Sequence, residues 1–173
     1  MSVKNAGDVE NLNSTEAIKK MQELVRQANI GMFITNLTQI PLDTRPMATQ
    51  QVDDEGNLWF FSGASTEKNH HIAADPRVQI LYANNSGYEY LTVYGTATIS
   101  RDWQKIEEMW TPFAKAWFKD GKDDPELTVI KVKPEYAYYW DTKSNKMVSL
   151  IKILSSVVTG KSSDNGVEGT LKV

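Results

Sequence analysis

Between residues 31 and 140 the chain alternates short β-prone runs with short polar turns, and this alternation limits the possible fold more than any other feature. The runs are rich in Val, Ile, Thr, Tyr and Phe, as strands prefer. The predicted strands are residues 32–35, 46–52, 58–62, 78–82, 88–100, 127–132 and 136–140. We expect the second and third to form a hairpin around residues 53–57, and the fourth and fifth to form another around residues 84–87.

Three segments have helical periodicity instead. The first begins with Asn13 and Glu16 as a capping pair and has one apolar face, made of Ala17, Ile18, Met21, Leu24, Val25 and Ala28. Residues 103–118 form the second, in which Pro112 predicts a kink or two shorter helices. Residues 147–158 form the third, which Gly160 ends.

Strands joined by short turns, with helices at the ends and in one insertion, predict a mainly β (β plus α) fold arranged as a small antiparallel barrel of six or seven strands. A length of 173 residues fits one domain. We place that domain at residues 14–160, with a flexible N-terminus at residues 1–13 and a flexible tail at residues 161–173.

Composition excludes several classes of site and partner. The chain has no cysteine, so disulfides, thiolate metal sites and cysteine nucleophiles are excluded. A net charge of −3 without a basic stripe argues against nucleic acid as a partner. The polar first thirteen residues do not resemble a signal peptide, and no stretch reaches the ~20 apolar residues of a membrane helix. We therefore expect a cytoplasmic protein.

The familiar catalytic and metal-binding motifs are absent from the sequence. His70 and His71 are the only histidines, and neighbours on a helix point in different directions, so they do not chelate one metal together. No Gly-rich phosphate loop and no Gly-x-Ser-x-Gly elbow occurs.

A candidate phosphate site lies between residues 45 and 68. Two cations and three hydroxyls are predicted to meet there at strand ends and at a helix start, namely Arg45, Ser62, Ser65, Thr66 and Lys68. Cationic side chains and backbone N–H groups at a helix start are suitable ligands for a monophosphate.

The same stretch resembles a known family. Arg45-Pro46-Met47, Phe61-Ser62, Thr66-Glu67-Lys68 and Asp75-Pro76-Arg77-Val78 are similar to the flavin-binding half of the pyridoxamine phosphate oxidase-like split barrels. Trp110, Trp117-Phe118, Gly121, Asp123-Asp124-Pro125 and Tyr139-Trp140-Asp141 resemble the bacterial general stress protein branch of that family. The resemblance covers residues 14–160 and implies a split β-barrel.

The resemblance also implies a cofactor, a partner and site residues. Flavin mononucleotide (FMN) would lie at the interface of a homodimer, with Arg45 and Lys68 on its phosphate and Ser62 and Thr66 assisting. The residues that would line the flavin are Pro46, Met47, Ala48, Phe61, Trp140 from the second subunit and, by a looser match, Tyr90. Among the strand aromatics, Trp59 and Phe60 are expected in the core.

The chain departs from the oxidases proper at their substrate site. Gln50 stands where those enzymes carry a lysine for the substrate phosphate, and Glu67 stands where they carry an arginine. Lys146-Met147-Val148 replaces their Arg-x-His motif, and lysine lacks the planar fork of arginine. Oxidation of pyridoxamine phosphate is therefore not expected.

Three functions stay open from the sequence. The first is a flavin-dependent oxidoreductase with an unknown substrate, which needs no side-chain nucleophile because the flavin carries the chemistry. The second is a non-enzymatic FMN-binding or redox-sensing stress protein. The third is a related barrel that uses a deazaflavin or haem.

Overall fold

A computed structural model describes residues 8–9, 12–142 and 166–172. Its strands are β1 Asp8–Val9, β2 Leu12–Asn13, β3 Ile30–Thr35, β4 Asp43–Ala48, β5 Gln51–Val52, β6 Leu58–Gly63, β7 Arg77–Asn84, β8 Glu89–Ser100, β9 Leu127–Thr142 and β10 Gly166–Lys172. Its α-helices are α1 Ser14–Ala28, α2 Glu67–Ala74 and α3 Trp103–Met109, and two 3₁₀ turns cover Pro112–Ala116 and Gly121–Asp123.

Mostly antiparallel strands form one curled sheet, and the predicted split β-barrel is confirmed. The strands follow the order β4, β3, β7, β8 and β9, and the other edge of β9 carries β6 along one half and β10 along the other. The predicted hairpin of the two strands now numbered β7 and β8 is also confirmed.

The predicted strand over residues 46–52 is wrong in its pairing, because it is two strands with different partners. β4 pairs with β3, and only the two-residue β5 pairs with β6. The backbone N–H of Thr49 still donates to Asn29, whereas that of Gln50 donates to Trp59 on β6. This change of partner links the two ends of the sheet and closes the barrel.

The two predicted closing strands are one strand, β9. Its 16 residues pair with β8 over most of their length, and the register shifts between Tyr94 and Gly95. The shift lies opposite Pro134, which cannot donate a ladder hydrogen bond, and a bulge accommodates a proline inside a strand.

The helices agree with their sequence patterns where the structure describes them. The α1 residues Ala17, Met21, Leu24 and Val25 are buried in the core. The predicted break at Pro112 is confirmed, since α3 ends at Met109 and a 3₁₀ turn follows. Asp102 caps α3 by accepting from the Lys105 N–H. The helix predicted over residues 147–158 lies outside the described residues.

Residues 166–172, in the segment expected to be a flexible tail, form β10. Small, polar residues suggested disorder, but the edge of β9 from Ala137 to Thr142 offers backbone groups that need partners, and β10 pairs with them. Leu171 joins the core with 1% exposure. The short strands β1 and β2 pair in parallel with β10, so this part of the N-terminus also belongs to the sheet.

Two apolar clusters form the interior. The larger fills the barrel beneath α1 and includes Phe33, Phe60, Tyr82 and Tyr139. The smaller seats α3 against β6 and β9 and is made of Trp59, Ile106, Met109, Phe118, Leu127 and Val129. The prediction that Trp59 and Phe60 are core residues is confirmed. Among the described residues, no helix is long and apolar enough to span a membrane.

Candidate functional site

Two half-buried cations meet where β4 and the first turn of α2 approach each other. Arg45 extends from β4, and Lys68 is the second residue of α2. The turn before α2 is held by Thr66, whose hydroxyl donates to the carbonyl of Gly63 over 2.7 Å and accepts from the Lys68 ammonium over 3.2 Å. Arg45 lies close enough to lower the pKa of the Lys68 ammonium, so the fold brings the two predicted phosphate ligands near each other.

The electrostatics of this pair are unfavourable without an anion. Burial, and then the positive charge of Arg45, lower the pKa of the Lys68 ammonium below its ordinary value. Burial also lowers the pKa of the Arg45 guanidinium, against the opposing influence of Asp43 and Glu67. Within the described ranges, neither cation has a carboxylate at ion-pairing distance. Two like charges that are partly withdrawn from water create a site that an anion stabilises.

The other predicted hydroxyls point elsewhere. Ser62 is 3% exposed and donates to Asn69 over 2.6 Å, and Asn69 donates to Thr128, which closes the ring by donating to the Ser62 carbonyl. This network fixes α2 to β6 and β9. Ser65 is engaged by Glu126, which accepts from both its N–H and its hydroxyl. Thr66 is thus the one predicted hydroxyl beside Lys68.

Sequence reasoning missed two residues behind Arg45. The Arg45 guanidinium donates from Nη1 to the hydroxyl of Thr35 over 2.7 Å, and that hydroxyl lies 3.0 Å from Nδ1 of His71. The one signal for Thr35 in the sequence was its place at the end of the predicted β3. A polar residue that closes an apolar strand often has a hydrogen-bond partner there.

An apolar surface covers the outside of the sheet from β4 to β9. Strand alternation and register place seven exposed residues on it, which we call the outer apolar face: Ile30, Met32, Pro46, Ala48, Leu81, Tyr90 and Trp140. Tyr90 and Trp140 are direct cross-strand partners. A contiguous exposed apolar surface of this kind marks a binding or assembly site.

The remaining predicted flavin residues lie in other surroundings. Met47 is 8% exposed and its side chain points into the barrel, so only its backbone borders the outer apolar face. Phe61 packs against Trp110 and Phe118, with ring centroids 5.9 and 6.3 Å apart, on the side of the sheet that α3 covers. The structure thus groups the predicted residues into a cationic site, an apolar face and core positions.

Comparison with known proteins assigns the class to which this fold and site belong. The model of the family described as pyridoxamine 5'-phosphate oxidase like matches residues 16–164. The protein belongs to this family, and the resemblance found in its sequence is confirmed.

One individual relative is similar over part of its length. The Neurospora crassa protein bli-3 is 28% identical over 127 residues, which cover 68% of this chain and 61% of bli-3. The chain therefore spans less than two thirds of that relative.

Two solved structures show the same fold. A proposed general stress protein 26 from Jannaschia sp. CCS1 has a TM-score of 0.74 at 23% identity, covering 92% of this chain and 99% of its own. The general stress FMN/FAD binding protein of Xanthomonas citri has a TM-score of 0.65 at 21% identity, covering 75% and 92%.

Proposed function

We propose that this protein binds FMN and acts as a flavin-dependent oxidoreductase of the general stress protein type, with a substrate still to be identified. The observation that carries the proposal is the half-buried pair of Arg45 and Lys68, which has no carboxylate partner among the described residues. Family membership and the FMN/FAD binding named for the Xanthomonas citri protein support the choice of flavin.

The residues present fit the parts of FMN. The phosphate is doubly charged, and Arg45, Lys68 and the Thr66 hydroxyl would hold it by charge-assisted hydrogen bonds. The flavin ring is flat and largely apolar, and the outer apolar face beside β4 supplies a surface of that character. Pro46 and Ala48 lie on that face, one and three residues after Arg45, whose side chain lies with that of Met47 on the other side of β4.

A homodimer is part of the proposal, with FMN between the subunits. The exposed apolar residues Leu81, Tyr90 and Trp140 would be covered by the second copy, and that copy's Trp140 would border the flavin. Aromatic residues at the centre of an interface are typical of stable assemblies.

A cytoplasmic location stays a prediction.

When bound, the flavin supplies hydride transfer. Arg45, Lys68 and Thr66 would hold the phosphate, and the outer apolar face would shield the ring from water. Gln50 is polar and uncharged, and its amide donates to the carbonyl of Ala48. It offers no charge to a second phosphate, which supports a substrate other than pyridoxamine phosphate.

The test of the enzymatic part is anaerobic reduction of the FMN-loaded protein by NADH or NADPH, followed by reoxidation with quinones or nitro compounds. Bleaching at the flavin absorption band and repeated turnover with a defined acceptor would support the oxidoreductase. Bound FMN that neither nicotinamide reduces would support the alternative, a non-enzymatic FMN-binding or redox-sensing protein. Protein that binds no FMN would contradict both.

A further inference from the structure

A hydrogen-bonded series of polar side chains connects to Arg45 and does not include Lys68. It begins at Nη1 of Arg45, passes through the Thr35 hydroxyl and ends at the imidazole of His71. Thr35 lies on β3, Arg45 on β4 and His71 on α2, so this hydrogen-bonded series connects three elements. This is the only side-chain hydrogen bond of Arg45 within the described parts of the chain.

Thr35 is suited to fix the direction of the guanidinium. Its side chain is fully buried, so water does not compete for the hydroxyl. The hydroxyl oxygen accepts from Arg45, and the same hydroxyl lies within hydrogen-bonding distance of Nδ1 of His71. One buried hydroxyl therefore joins the guanidinium to the imidazole.

Two carboxylates flank the imidazole without reaching the cations. Asp43 Oδ2 lies 3.9 Å from Nδ1 of His71, and Glu67 Oε1 lies 3.9 Å from Nε2. Neither carboxylate is within hydrogen-bonding distance of the ring, and the guanidinium keeps its bond with Thr35. Among the described residues, only Nη1 of Arg45 is used in this way, so its other donors have no partner there and are available to an anion.

We propose that Thr35 and His71 are positioning residues of the FMN phosphate site, which hold the Arg45 guanidinium in the orientation that binds the phosphate. This inference rests on the proposed FMN site. It adds residues from β3 and the middle of α2 to a site that the sequence located only in β4, β6 and the start of α2.

The first test compares FMN with riboflavin, which has the same ring and no phosphate. In Thr35→Val the dissociation constant for FMN should rise about tenfold, the effect of losing one hydrogen bond to a charged group. The constant for riboflavin should change less than about twofold. Thr35→Ser keeps the hydroxyl and should restore FMN affinity, and Thr98→Val on β8 is the matched control at an exposed threonine.

The second test asks whether Thr35 acts through Arg45. In an Arg45→Ala background, Thr35→Val should change FMN affinity less than about twofold, because residues that act as one unit are not additive. Equal effects of Thr35→Val with and without Arg45 would overturn the positioning role. So would equal weakening of FMN and riboflavin, since general damage to the fold affects both ligands.

A second variant keeps the proposal testable if Thr35→Val does not fold. His71→Leu removes the partner of the Thr35 hydroxyl and should weaken FMN several-fold with riboflavin unchanged, whereas His71→Asn keeps a polar atom near Nδ1 and should lose less. Unchanged FMN affinity in His71→Leu and in a folded Thr35 variant, together with a loss in Arg45→Ala, would overturn the positioning role and leave the FMN site standing. Wild-type protein that binds no FMN would contradict the proposed function itself.

Discussion

The positive charge of Lys68 lies where it favours binding of an anion and lowers the stability of the free protein. Its pKa is lowered in the fold by burial and by Arg45, so the protonated form is less favourable there than in the unfolded chain. Below the lowered pKa this cost to stability is present in full, and it is lost as the pH rises through that pKa toward the unfolded value. At neutral pH an anion between the two cations removes the cost.

We therefore expect Lys68→Met to separate stability from binding. The free variant should have an unchanged or higher Tm than wild type, because the charge is gone and the aliphatic stem is kept. FMN at one hundred times its dissociation constant should raise the wild-type Tm by about 5–10 °C and should raise that of the variant far less.

Thermal unfolding with and without FMN measures both effects. Lys119→Met, at an exposed loop position, should behave like wild type. A large loss of stability in free Lys68→Met, or an undiminished FMN shift, would contradict the role given to Lys68.

The sequence predicted Arg45 and Lys68 as phosphate ligands, but not Thr35 and His71, which we propose as positioning residues for Arg45. Arg45 and Lys68 stood out because their types and spacing suit a phosphate. Thr35 and His71 are 36 residues apart and meet only because β3 pairs with β4 and α2 packs across the barrel end. A contact of that kind depends on tertiary packing, which local sequence does not contain.

At the element scale, the barrel depends on two irregularities. One is the change of partner between β4 and β5, and the other is the register shift at Gly95 on β8. Composition predicted extended backbone in both places correctly. It could not predict which neighbour each strand bonds to, because that choice is made by non-local pairing.

The register shift predicts a specific sensitivity at Gly95. A Cβ added there would lie 2.2 Å from the backbone carbonyl oxygen of Lys133, and backbone cannot give way as a side-chain tip can. Gly95→Ala should lower the free energy of unfolding by about 2–3 kcal/mol, the upper part of the range for overpacked sites.

The comparison variant is Gly121→Ala, where φ is +69° and, among the described residues other than Gly121 and its chain neighbours, no atom lies within 4 Å of the added Cβ. Its cost should come from the left-handed backbone alone, about 1 kcal/mol. Denaturant unfolding of both variants gives the answer, and a Gly95→Ala protein as stable as wild type would show that the β8–β9 register is different.

For the molecule as a whole, strand spacing and family resemblance predicted the fold class. They did not predict the strands at the two chain ends. The segment 166–172 has a weak strand pattern of its own, and its order comes from the unpaired edge of β9. The outer apolar face could not be recognised from sequence either, because Ile30, Met32 and Leu81 look like ordinary core residues until the pairing shows which side they occupy.

The outer apolar face predicts assembly. Leu81 is 42% exposed near its centre, and Leu81→Glu would put a charge into the contact of the proposed dimer. Light scattering after size exclusion should find a dimer for wild type and a monomer for the variant, with weaker FMN binding in the latter. Gln104→Glu on the exposed side of α3 should remain dimeric. A monomeric wild type would contradict the dimer.

In the proposed complex, Arg45 and Lys68 hold the phosphate of FMN. Calorimetric titration of the cofactor-free protein with FMN and with riboflavin tests it most directly. Two charge-assisted contacts to the phosphate predict that FMN binds at least about one hundred times more tightly than riboflavin. Equal affinity for the two flavins, or no binding of FMN, would contradict the claim.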